Sequence, residues 1–104
     1  AFGPGHLSAS ALPGKPGNTV IAGHRDTHFR FLKDLAFGEL LKIESSDGVE
    51  HLYKVVATDV VDSRTGSLRL DTDVTSLSLV TCYPFDARAA GGPMRFVVTA
   101  RMLY

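Results

Sequence analysis

An all-β barrel or sandwich is the fold class this chain predicts, on three observations. Short β-branched or alternating apolar runs outnumber helical stretches. Segments rich in glycine and proline punctuate them. No strand–long helix rhythm of the kind that builds a parallel βαβ sheet is present. The 104 residues suit a single domain spanning 1–104. A chain of this size buries about two-thirds of its unfolded surface, enough for one modest core.

The elements follow in order. Residues 1–18, AFGPGHLSASALPGKPGN, carry loop chemistry. Residues 19–22, TVIA, form a short buried strand closed by Gly23. In 29–35, FRFLKDL, the spacing of Phe31, Leu32 and Leu35 predicts one or two helical turns, ended by Gly38. Residues 40–44 are a strand. Asp47-Gly48 supplies a two-residue hairpin turn, and 49–61 is the long return strand. Residues 62–75 make a polar connection with three aspartates. In 76–83, SLSLVTCY, Leu77 and Leu79 point one way and Ser78, Val80 and Cys82 the other. A loop over 85–93 leads to a last strand over 94–103. There Met94, Phe96, Val98 and Ala100 share one face, and Arg95, Val97, Thr99 and Arg101 the other.

Composition removes several function classes. Eleven basic residues balance eleven acidic ones, so no basic surplus recommends a duplex or an anionic membrane surface. No run in these residues approaches the roughly 18 apolar residues of a membrane span, and none of them reads as a signal peptide. The chain opens on Ala1, and an N-terminal anchor is expected to lie outside it. The single cysteine, Cys82, excludes an internal disulfide.

Cys82 therefore poses the functional question. A lone thiol ending an apolar run is either a small core hydrophobe or a nucleophile. His24 follows Gly23 at the mouth of the first confident strand, and an imidazole there could shuttle the thiol's proton. Arg95 opens the strand after the glycine-rich loop. If that strand neighbours the one ending in Cys82, its planar donors can meet an oxyanion. His24 and His28, with Asp26 and Cys82, could in principle form a zinc set. The segment reads as loop, however, and lacks the glutamate or second cysteine that would strengthen that reading, so no metal is expected. Asp26 and Asp86 are candidates to orient His24, although loop aspartates usually form turns. Asp71 and Asp73 lack a calcium-loop pattern. His6 and His51 read as structural.

The order His, Cys, Arg at strand ends of a small β domain narrows the choice. Papain-like peptidases run Cys before His, and the Ser-His-Gly-Cys-x-Arg signature of L,D-transpeptidases is absent. The chain resembles a sortase. "SLVTC" (78–82) resembles the family's T-L-x-T-C strand, with Ser78 where Thr is usual. "NTVIAGHRD" (18–26) resembles the histidine segment, and "RFVVTARM" (95–102) the strand opened by the family arginine. "GPGHL", "ALPGKPGN", "GHRDTHFRFLKDL" and "TCYPFDARAAGGPMRFVVTA" look most like the class found in Gram-negative bacteria.

The resemblance implies a closed sortase β-barrel with one or two short helices, its first strand absent from these residues. It implies a membrane-anchored cysteine transpeptidase facing outward from the cytoplasmic membrane and needing no cofactor. Cys82 would attack the Thr–Gly carbonyl of an L-P-x-T-G-like signal on a secreted protein and form a thioester. His24 would protonate the leaving amine, Arg95 would bind the oxyanion, Thr81 would help position substrate, and an acceptor amine would release the acyl group. The rival reading is a non-catalytic β-barrel that binds peptides, with Cys82 in its core.

Overall fold

The protein's structure, a computed structural model, describes residues 5–6, 10–23, 29–66, 74–83 and 92–103. Six strands occupy them: β1 (Gly5–His6), β2 (Gly17–Ala22), β3 (Leu40–Glu44), β4 (Glu50–Asp62), β5 (Thr75–Cys82) and β6 (Met94–Met102). They form one sheet in the order β1-β2-β5-β6-β4-β3. Every neighbouring pair is antiparallel except β2–β5, which runs parallel. β1 and the start of β2 lie inside the stretch expected to be loop. Gly17 and Asn18 are poor strand formers, but Asn18 is buried and its Oδ1 accepts the hydroxyls of Ser76 and Ser78 at 3.3 and 3.0 Å. Tertiary pairing outweighs local propensity there.

Strand alternation sets the two sides of the sheet. Leu77, Leu79, Val98 and Ala100 face the core together with Tyr53 and Val55 of β4. The segment after β2 covers that face through Phe29 and Leu32, which are 4% and 0% exposed. The helical spacing expected over 29–35 resolves into a 3₁₀ helix, Arg30–Asp34. Leu32 N–H donates to the Phe29 carbonyl and Leu35 N–H to that of Leu32, at 3.1 and 3.2 Å. Residues 29, 32 and 35 all pack on the core, while Phe31 is exposed. A buried position every three residues matches the three-residue turn of a 3₁₀ helix.

The β3–β4 hairpin also differs from the two-residue turn expected. Ser45 N–H donates to the Val49 carbonyl and Gly48 N–H to that of Ser45, both at 2.9 Å, leaving a three-residue loop of Ser46, Asp47 and Gly48. The Asp47 carboxylate accepts from the Ser45 hydroxyl and, at 3.1 Å, from Val49 N–H, and these bonds hold it below the usual carboxylate range. Within this loop only Gly48 takes a positive φ, +83°, as a three-residue turn with a bulge requires. A Cβ there would meet open space, so substitution strains only the backbone. Gly48→Ala is expected to lose about 1 kcal/mol and melt several degrees lower. Gly48→Asn should recover much of that, since Asn enters the left-handed region more readily. Thermal melts of the two variants check it.

The sheet is strongly curled and, among the described residues, open. β1 and β3 are its edges and no pairing joins them, so these six strands do not make the closed barrel that the resemblance implies. The curl brings the segment before β2 onto β4, where Gly14 N–H donates to the hydroxyl of fully buried Tyr53 at 3.0 Å. Between the two edge regions lies a cavity of about 490 Å³, lined by Ile21, Ile43, His6 and His51 among others. Neither Cys82 nor Arg95 lines it.

Candidate active site

Strand directions gather the chemistry at one end of the sheet. β2 and β5 are parallel, so both finish there. β6, antiparallel to β5, begins there, and β4, antiparallel to β6, ends there. That end holds Gly23, Cys82, Arg95 and Asp62.

Cys82 and Arg95 are direct cross-strand partners. Tyr83 N–H donates to the Met94 carbonyl at 3.1 Å. In an antiparallel ladder the adjacent 82–95 pair then falls at a non-hydrogen-bonded position, where side chains stand closest. Cys82 lies on the side opposite Leu77 and Leu79. That side is closed at Ser76 and Ser78 and opens at Val80 and Cys82, both of them half-buried. A thiol placed there is not part of the hydrophobic core. The Arg95 guanidinium donates through Nη1 to the carbonyls of Gly92 and Met94, at 2.5 and 2.9 Å. Nε and Nη2 engage no partner among the described residues, leaving donors for a ligand.

Thr81 faces the other way. It is 2% exposed, on the core-facing side, and its hydroxyl donates to the Gly23 carbonyl at 2.7 Å. The side chain expected to help position substrate is therefore buried and bonded to the strand next door. Gly23 N–H in turn donates to the Val80 carbonyl at 3.0 Å.

His24 lies outside the described residues, as do Asp26, His28, Asp71, Asp73 and Asp86. The described chain stops at Gly23 and resumes at Phe29. Among the described residues no cluster of three or more metal-binding side chains occurs. His6 and His51 make local contacts. His6 Nε2 is 2.8 Å from the Ala11 carbonyl and 3.0 Å from the Ser10 hydroxyl, and His51 Nε2 is 3.3 Å from the Ser45 hydroxyl.

Asp62 and Arg64, which sequence spacing does not single out, sit at the same end. Asp62 is the cross-strand partner of Met94, one position from Arg95. Arg64 grips its carboxylate through Nε and Nη2 at 3.0 and 2.7 Å. The Arg64 side chain, and then its backbone N–H, lower Asp62 to about 2. An Asp-x-Arg turn just after a long strand is the sequence signal for this pair.

A sortase-domain family model matches residues 1–103. Over 97 residues the chain is 37% identical to sortase D of Bacillus subtilis (strain 168), covering 92% of this chain and 48% of that protein. The chain thus spans about half the length of that curated relative. A Clostridium perfringens sortase D5 transpeptidase structure is 30% identical with a TM-score of 0.77, over 97% of this chain and 62% of that one. Sortase C-1 from Actinomyces oris is 28% identical with a TM-score of 0.83, over 98% of this chain and 57% of that one. These relatives come from Gram-positive bacteria and lend no support to the Gram-negative class.

Proposed function

Because the chain belongs to the sortase family, we propose that it is the catalytic part of a cysteine transpeptidase acting on secreted proteins that bear a C-terminal L-P-x-T-G-like signal. The observation that carries this reading is the half-buried Cys82 at a strand end, directly opposite Arg95 and on the side away from the core. Cys82 Sγ attacks the Thr–Gly carbonyl carbon. The C–S bond forms, the C–N bond breaks, and the thiol's proton passes through His24 to the departing amine. An acceptor amine then attacks the thioester, returns the sulfur as thiol and leaves a new amide.

His24 enters through register. β2 and β5 pair at a constant offset of 58, with Ala22 opposite Val80 and the Thr81 hydroxyl on Gly23. Two residues beyond Ala22 and two beyond Val80 are His24 and Cys82, which supports pairing imidazole with thiol. In this reading the barrel closes across the cavity between β1 and β3, and the protein is membrane-anchored, facing outward.

The test follows the mass of the acyl-enzyme on Cys82 during incubation with sorting peptides. Wild type should gain the acyl fragment. Arg95→Ala and Arg95→Lys should both form the adduct about a hundredfold more slowly, since lysine keeps charge but not the planar fork. Alkylation of Cys82 by a small haloacetamide forms no oxyanion and should change far less. Absence of any adduct in wild type across a peptide panel, or equal losses in both reactions, overturns these assignments.

A further inference from the structure

We propose that Thr81 is a positioning residue, which locks the backbone before His24 onto the end of the nucleophile strand and acts on the reaction only through His24. The proposal rests on the reading of His24 and Cys82 given above.

Three contacts converge on Gly23. Its N–H donates to the Val80 carbonyl at 3.0 Å, its carbonyl accepts the Thr81 hydroxyl at 2.7 Å, and the Phe29 ring occupies the space a side chain there would need. A Cβ at this position would come within 2.9 Å of Phe29, closer than packed carbons allow. Phe29 is itself 4% exposed in the core cluster. The two residues bracketing 24–28 therefore touch each other, and the first of them is tied to the residue immediately before Cys82.

The hydroxyl has a specific part in this. At the end of the parallel ladder the Gly23 carbonyl takes its hydrogen bond from a side chain. The donor is β-branched, which restricts χ1, and it is packed, which holds the hydroxyl in place. Burial on this side of the sheet does not by itself give a threonine a partner. Thr19, on the same side and fully buried, has an Oγ1 with no hydrogen bond among the described residues. The Thr81 bond thus reflects where Gly23 must sit.

Misplacing a reacting group by about 1 Å can lower a rate roughly a hundredfold. Thr81→Val keeps the shape and burial and removes the donor. It should lower the rate of acyl-enzyme formation on a sorting peptide by about a hundredfold, with KM changed less than about threefold. Thr81→Ser, which restores a hydroxyl, should recover most of the rate.

The deciding measurement is a double-mutant cycle. If Thr81 acts only through His24, Thr81→Val in a His24→Ala background should slow the reaction no further than His24→Ala alone. Gly23→Ala, which drives a Cβ onto Phe29 and leaves the hydroxyl intact, is an independent displacement of the same residue. Its loss should vanish in the His24→Ala background too, and it carries the test if Thr81→Val does not fold. Losses that multiply overturn the proposal, as does Thr81→Val at the wild-type rate. A raised KM with kcat unchanged also overturns it, because that is the mark of a substrate contact. His24→Ala at the wild-type rate is a different failure, seen in the single variant, and it removes the underlying site reading.

Discussion

Cys82→Ala should yield a protein that melts within a few degrees of wild type, forms no adduct with a sorting peptide and cleaves none. The two halves of this expectation have different sources. Stability should survive because the side chain is small, half-buried and turned away from the cluster of Leu77, Leu79, Val98 and Ala100. Losing one methyl-sized group from a packed site costs roughly 0.5–1.5 kcal/mol, and a half-open site should fall at or below the low end. For a domain near this size each kcal/mol moves Tm by roughly 4–8 °C. Activity should vanish because no other thiol exists in the chain to form the thioester. Melting curves and intact-mass spectra on the same preparation check both halves. A variant that melts far lower yet still cleaves peptide would make the cysteine structural.

His24→Ala should cost roughly two to four orders of magnitude in the acylation rate, the range of a positioned acid–base group, and His28→Ala far less. The distinction comes from phase along β2. Position 24 follows Ala22 by two residues, as Cys82 follows Val80, and Ala22 and Val80 are partners. Position 28 instead directly precedes, in sequence, Phe29, which belongs to the core. Single-turnover rates of the two variants decide it, and the reverse ranking would reassign the imidazole.

The sequence makes some of this legible and hides the rest for physical reasons. Alternation in residues 76–83 and 94–103 reads correctly because one side of each strand is buried among apolar neighbours, so the pattern is strongly imposed. β3 reads to its ends for a similar reason, since alternate residues are half-buried. The hairpin is read one residue short because Asp-Gly serves both a two-residue turn and the end of a bulged three-residue one. The bonds from Asp47 to Ser45 and Val49, which select the latter, are not visible in a dipeptide. β1 and the first residues of β2 are hidden because Gly17 and Asn18 gain their pairing from β5, far along the chain. At the site, the opposition of Cys82 and Arg95 follows once β5 and β6 are known to be neighbours. The Thr81–Gly23 bond has no local signature, because its partners are 58 residues apart.

The parallel seam between β2 and β5 also decides where this chain can tolerate a change of length. An inserted or deleted residue inside either strand shifts every later position by one, and a one-residue slip turns each side chain to the opposite side of the sheet. Asn18 would leave Ser76 and Ser78, the Gly23 carbonyl would leave Thr81, and position 24 would fall out of step with position 82. An insertion between Gly66 and Val74, in the connection that leads into β5, changes the numerical offset while leaving all of those partners in place. On the proposed reading of the site, the quantity that must be kept is the two-residue count from the last seam pair, Ala22 with Val80, to positions 24 and 82. Insertions and deletions should therefore accumulate in the connections and be excluded from these two short strands.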